Sequence, residues 1–267
     1  TAPADGSCFA SATLTVTGTV TEVCGLSGVT VNGVSATVSG TAPDFTFSVE
    51  ITLSAEGDNT IEVIATDEVG IASDPAVATV RVDTAGPTVV ITSPEADALL
   101  STSTVTVEGT VSDPDPSSGD LSVTVTVDTD PGNPVDATVT GSDYVAIFTD
   151  LPDGFHIFTV TAQDKVENES EAAEVTVKVD TTPPVITLIG ANPLSLELGT
   201  PFTDPGATAL DACDGDVSGS IEITGTVDET AEGAYEVTYT VSDAAGNTAE
   251  EIRTVNVLVS SNSYVLL

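Results

Sequence analysis

Apolar and polar residues alternate along most of this chain, and the alternation predicts strands rather than helices. Thr13-Leu14-Thr15-Val16-Thr17 and Ser122-Val123-Thr124-Val125-Thr126-Val127 show it most plainly. A period of two places every second side chain on one face, as in a half-buried strand. β-Branched Thr and Val suit that pleated surface. Amphipathic helical runs are absent, and so is any run of about 18 apolar residues that would span a membrane.

The alternation recurs as an internal repeat. Glu56-Gly57 leads to Asp67, Asp153-Gly154 to Asp164, and Glu232-Gly233 to Asp243, with a glycine-to-aspartate spacing of ten each time. Ile61, Val63 and Ala65 correspond to Phe158, Val160 and Ala162, and to Val237, Tyr239 and Val241. Shared parity predicts that all nine face a core. A loop follows each aspartate, and then a last strand: Ala76–Val82, Ala173–Val179 and Glu251–Val257. Asn32-Gly33 between two apolar runs predicts a two-residue hairpin.

Val82-Asp83-Thr84-Ala85-Gly86-Pro87 and Val179-Asp180-Thr181-Thr182-Pro183-Pro184 are two versions of one linker. Proline ends the preceding strand and stiffens the junction. Modules are therefore expected at 1–83, 84–180 and 181–259, with 260–267 a linker plus a donor-type strand. The chain has 267 residues and is 40% hydrophobic, enough for a small core in each module. About seven short strands per module predict all-β sandwiches.

The Val-Asp-Thr-x-x-Pro linker and the Asp-x-x-Gly-Asn loop from Asp243 to Asn247 resemble the bacterial Ig-like (Big) domain superfamily. In the third module, Phe202-Thr203-Asp204-Pro205-Gly206-Ala207 and Asp214-Gly215-Asp216-Val217-Ser218 resemble its secreted Ig-like subfamily. Gly18-Thr19-Val20 and Gly109-Thr110-Val111 give the first two modules a similar likeness. The resemblance implies an all-β fold of three tandem immunoglobulin-like β-sandwiches. Such modules occur in adhesin stalks, surface layers, filaments and accessory regions of secreted hydrolases, so the fold alone leaves function open.

The two ends of the chain fit one another. Residues 1–22 align with 92–113 without a gap, but nothing in module 1 matches the strand Thr88-Val89-Val90-Ile91. The first sandwich is therefore expected to lack its own N-terminal strand. Residues 257–267 align with 81–91, again without a gap, so the tail Tyr264, Val265, Leu266 and Leu267 has the pattern of the absent strand. Burying Val265, Leu266 and Leu267 contributes about 5–8 kcal/mol before ordering costs. The tail could complete a neighbouring subunit, join consecutive repeats of a longer array, or fray. The first two give a head-to-tail fibre of the chain with itself.

Charge changes the picture further. Forty-two acidic residues face four basic ones, Arg81, Lys165, Lys178 and Arg253, for a net charge of −38. This excludes nucleic acid and membrane insertion as expected partners, and suits saline water or divalent cations. In a sandwich of this kind the linker and two loops share one end. That gathers Asp83, Asp113, Asp115 and Asp164 at the first junction, and Asp180, Asp211, Asp214, Asp216 and Asp243 at the second. Calcium takes six to eight oxygens, and these sets could supply them. Alternatively the aspartates are turn formers bonded to their own backbone.

Catalytic constellations are not legible. His156, in mid-strand, is expected to be a surface or edge residue. Cys8, Cys24 and Cys213 are too dispersed for zinc. Cys8 aligns with Leu99 and is expected to be a small core residue, and the other two to lie in turns. No Gly-x-Ser-x-Gly elbow is present. The expectation is an extracellular or cell-surface structural protein, not an enzyme: a fibre or stalk stiffened by calcium. The alternative is an adhesin or accessory binding module of a secreted hydrolase, with a glycan or protein ligand on its loops.

Overall fold

The computed structural model describes residues 2–54, 56–115 and 120–259. The expected segment 260–267, with Tyr264, Val265, Leu266 and Leu267, lies outside the described residues. Within them, strands alternate outward Thr, Ser and Glu with inward Val, Ile and Phe, and three separate apolar cores result.

The first core is enclosed by β1 (Cys8–Phe9), β2 (Thr13–Thr21), β3 (Leu26–Val31), β4 (Val34–Ser35), β5 (Thr37–Thr41), β6 (Asp44–Thr52), β7 (Gly57–Asp67) and β8 (Ala76–Val82). One sheet has the order β1-β8-β7-β3-β4, and the facing sheet β2-β6-β5. The second core lies between β9 (Thr88–Ser93), β10 (Ala98–Leu100), β11 (Val105–Ser112), β12 (Ser122–Val127), β13 (Val135–Asp136), β14 (Thr138–Thr140), β15 (Asp143–Phe148), β16 (Gly154–Gln163) and β17 (Ala173–Val179). Its sheets are β10-β17-β16-β12-β13 and β14-β15-β11-β9. The third core uses β18 (Val185–Leu188), β19 (Leu194–Glu197), β20 (Ala207–Asp211), β21 (Gly215–Asp216), β22 (Glu222–Thr224), β23 (Gly233–Ser242) and β24 (Thr248–Leu258), paired as β19-β24-β23-β22 and β18-β20-β21.

Parity holds where the repeat predicts it. Ile61, Val63, Phe158, Val160, Ala162, Val237, Tyr239 and Val241 are buried, and Ala65 is half-buried. Asn32-Gly33 turns between β3 and β4 with φ of 48° and 79°, the left-handed pair that a two-residue hairpin needs. The same parity corrects two expectations. His156 is 1% exposed rather than at the surface, because it shares a face with Phe158 and β16 is an interior strand. Its Nε2 donates to the Pro152 carbonyl at 2.8 Å. Cys8 is exposed rather than in the core, because Phe9 takes the inward position of β1. Its counterpart Leu99 likewise lies between the core-packing Ala98 and Leu100. Cys24 and Cys213 lie in irregular or turn segments, and all three thiols are free.

The third core is small and is organised around a buried cation. Arg253 is fully buried. Its Nε donates to the Tyr239 hydroxyl at 3.0 Å, and its other nitrogens donate to the carbonyls of Ala191, Ile189 and Gly206 at 2.7, 2.8 and 3.0 Å. Asp204 lies 3.5 Å from Nε and accepts from Tyr239. This explains the Phe202-to-Ala207 motif: Asp204 supplies the countercharge and Gly206 a carbonyl. Removing one partner of a buried pair leaves the other uncompensated. Arg253→Leu is therefore expected to destabilise the third module by about 3 kcal/mol or more, read from its transition in differential scanning calorimetry.

Candidate metal centres at the two junctions

Each junction begins where a last strand meets its linker. Asp83 follows β8 and Asp180 follows β17, and both are buried, at 1% and 0% exposure. The backbone N–H of Asp83 donates to the Phe9 carbonyl and that of Asp180 to the Leu100 carbonyl, both at 2.9 Å. The linker thus stays in register with the preceding sheet before it turns.

The next module reaches back to the linker through the loop after its second-last strand. Asn168 Nδ2 donates to the Asp83 carbonyl at 2.9 Å and to Asp164 Oδ2 at 2.8 Å. Asn247 Nδ2 donates to the Asp180 carbonyl at 2.7 Å and to Asp243 Oδ2 at 2.8 Å. The two loops are equivalent in the repeat, so the same clamp is built twice. Asn168-Glu169-Ser170 is a glycosylation-type triplet, but its amide is committed to these bonds.

A cross-junction ion pair stands beside each clamp. Arg81 Nε lies 2.6 Å from Asp115 Oδ2, and another of its nitrogens 2.8 Å from Asp58. Lys178 Nζ lies 2.9 Å from Asp214 Oδ1. Hydrogen bonding to Lys178 holds the Asp214 carboxyl below the ordinary range and the Lys178 ammonium above its own. Sequence reasoning missed these cations and the two asparagines. The signal was present: Arg81 and Lys178 each stand two residues before the linker aspartate.

The structure brings part of each expected acidic set together. Carboxylate oxygens of Asp83, Asp113 and Asp164 lie within 4.8 Å of one another, and so do those of Asp180, Asp211 and Asp214. Asp115 is instead held by Arg81. Asp216 turns to Ser218, accepting its backbone N–H at 3.0 Å. Asp243 is buried and bonded to Asn247, and its charge acts on Asp180. Asp153, Asp180 and Cys213 form a further close group.

The turn-forming and the ligand roles divide between the two oxygens of single carboxylates. Oδ1 of Asp83, Asp113, Asp180 and Asp211 accepts a nearby backbone N–H, from Ala85, Asp115, Thr182 and Cys213 respectively. Oδ2 of the same four residues is buried without any hydrogen-bond partner. Buried polar atoms are nearly always bonded to protein, water or an ion, so these four oxygens are places where a cation or a water could bind. Burial raises the carboxyl pKa of Asp83 and of Asp180. Neighbouring charges add to the rise, from Asp113 and Asp164 in the first case and from Asp211 and Asp243 in the second.

Each clamp satisfies a buried carbonyl and a carboxylate. Asn247→Ala is accordingly expected to cost about 1–3 kcal/mol, seen as a lower denaturant midpoint for the third module. The same change at Asn168 should lower the midpoint of the second module.

Comparison with known proteins adds family information at both ends. Residues 186–257 match the bacterial surface protein Ig-like domain, and residues 1–84 match domain B of glucodextranase. A comparison with curated proteins finds no match. Among solved structures, the fibronectin(III)-like modules of Clostridium thermocellum CbhA are 24% identical, covering 67% of this chain and 91% of that one with a TM-score of 0.40. The protocadherin gammaB7 EC3-6 cis-dimer structure is 16% identical, covering 88% and 67%, with a TM-score of 0.36. Among the described residues, no helix is long and apolar enough to cross a membrane. The third module is similar to bacterial surface Ig-like domains, and the chain is a nearly all-β string of immunoglobulin-like sandwiches.

Proposed function

We propose that this chain is a structural segment of an extracellular or cell-surface fibre or stalk, whose Ig-like modules are locked end to end by calcium at their junctions. The observation that carries this reading is the set of buried, unbonded Oδ2 atoms of Asp83, Asp113, Asp180 and Asp211. Calcium takes oxygen ligands at flexible geometry, whereas magnesium keeps most of its waters. Asp83, Asp113 and Asp164 would hold one ion; Asp180, Asp211 and Asp214 would hold another. In each set the first aspartate belongs to the linker and the other two to the following module. A bound ion therefore ties linker to module where the Asn168 and Asn247 clamps already act.

The sign of the electrostatics gives a sharp test. An acid whose folded pKa is raised loses stability as pH rises above its unfolded pKa, and the full cost is present above the folded one. At neutral pH, Asp83 and Asp180 are on the costly side in metal-free protein. Asp83→Asn and Asp180→Asn are expected to leave the metal-free melting temperature unchanged or higher. Each should abolish calcium binding at its own junction. For the parent chain, calcium at 100 times its Kd adds about 2.7 kcal/mol. Calorimetric titration into chelator-treated protein with no heat and no rise in melting temperature would sink the proposal.

A second reading is favoured by the match of residues 1–84 to a glucodextranase domain: an accessory segment of a secreted hydrolase. Electron microscopy of purified material separates the two. Filaments repeating every three modules support the structural role, and dispersed monomers that bind glycan support the accessory role.

A further inference from the structure

The three cysteines are too dispersed to make a zinc site among themselves, but the fold carries one of them to two carboxylates. The Cys213 sulfur and carboxylate oxygens of Asp153 and Asp180 all lie within 4.8 Å of one another. Asp153 stands just before β16, Asp180 begins the linker after β17, and Cys213 lies in the turn between β20 and β21. The group therefore draws one side chain from the second module, one from the linker and one from the third module.

Local bonds fix each member. Asp153 Oδ1 accepts the backbone N–H and the hydroxyl of Thr181, both at 2.8 Å, and its Oδ2 accepts the Thr182 hydroxyl at 2.6 Å. The Cys213 backbone N–H donates to Asp211 Oδ1 at 2.7 Å, its carbonyl accepts from Lys178 at 3.3 Å, and its thiol is free of any disulfide. Asp180 is fully buried; its Oδ1 caps Thr182 and its Oδ2 has no hydrogen-bond partner. A buried, unbonded oxygen within a set of ligand atoms marks room for something to bind. Lys178, the cation beside the group, is paired with Asp214, so it leaves the charge of Asp153 and Asp180 uncompensated. The first junction differs at this point. Asp115 takes the place of Cys213, with its backbone N–H on Asp113 as that of Cys213 is on Asp211, and Arg81 holds its carboxylate.

We propose that Asp153, Asp180 and Cys213 hold a zinc ion at the second junction, at a position distinct from the calcium set of Asp180, Asp211 and Asp214. A thiolate selects a borderline-soft ion, whereas calcium takes oxygen. Three protein ligands with a water in the fourth position is an arrangement that zinc accepts. Ligand atoms around a tetrahedral zinc lie about 3.3–3.8 Å apart at its usual bond lengths, so small side-chain rotations close the group. The sulfur binds as thiolate, and its proton leaves to solvent as the zinc–sulfur bond forms. Such an ion bonds both modules and the linker between them, whereas the calcium set takes in only the linker and the following module. The inference shares Asp180 with the calcium reading but does not require it.

Calorimetric titration of zinc into chelator-treated, reduced protein tests it. The chain used carries C8S and C24S, because those two thiols are exposed and would bind zinc on their own account. One equivalent of zinc should bind. Cys213→Ser and Asp153→Asn, each made in that chain, should weaken binding at least about tenfold, the loss that removing even an outer partner of a metal site causes. In the chain without either further change, zinc should slow alkylation of Cys213 by iodoacetamide at least about tenfold, since a metal-bound sulfur is withdrawn as nucleophile. That readout stands even where a variant fails to fold. No zinc binding, binding that C213S or D153N leaves intact, or a thiol that zinc does not protect overturns the proposal. Calcium titration of C213S still reads the calcium sets at both junctions, so this inference and the calcium reading fail separately.

Discussion

The junctions depend on a pair of aspartates that are buried where burial is least favourable to them. Asp83 and Asp180 lie at the ends of β8 and β17, in a chain of net charge −38, with further carboxylates close by. Isolated ionised carboxylates resist leaving water, and like charges nearby add to the cost. The structure offsets only part of that cost. One oxygen of each aspartate caps a turn, an asparagine grips the linker carbonyl, and a scarce cation stands across the junction. The remaining oxygen is left bare.

The chain solves the same problem differently inside the third module. There Arg253 is buried with hydrogen bonds to Tyr239 and three carbonyls, and with Asp204 as countercharge. Charge is balanced there within the protein, and Oδ2 of Asp204 is nonetheless buried without a hydrogen-bond partner. The two places differ in charge balance rather than in bare oxygens. Four basic residues are available, and one of them is enclosed in this core while two stand at junctions as Arg81 and Lys178. A core can be made self-sufficient at that cost; the junctions have one cation each for several carboxylates.

Much of this was legible in the sequence because strands have a period of two. The parity of Ile61, Phe158 and Val237 located the cores, and the repeated Val-Asp-Thr linker located the aspartates that the fold buries. The same rule, applied one step further, would have turned His156 inward and Cys8 outward. Which acids meet was less legible. Asp115 and Asp216 are as close in sequence to the clusters as Asp113 and Asp214, but local partners, Arg81 and Ser218, claim them. Sequence spacing does not fix which oxygen of a carboxylate a turn will use. The division between a bonded Oδ1 and a bare Oδ2 emerged only from the folded geometry.

A crystal structure grown in calcium tests the central claim most directly. The account expects an ion at each junction, among Asp83, Asp113 and Asp164 and among Asp180, Asp211 and Asp214. Six to eight oxygens should surround each ion at about 2.3–2.6 Å, with the four bare Oδ2 atoms among them. Water or empty density between those carboxylates at saturating calcium would contradict it.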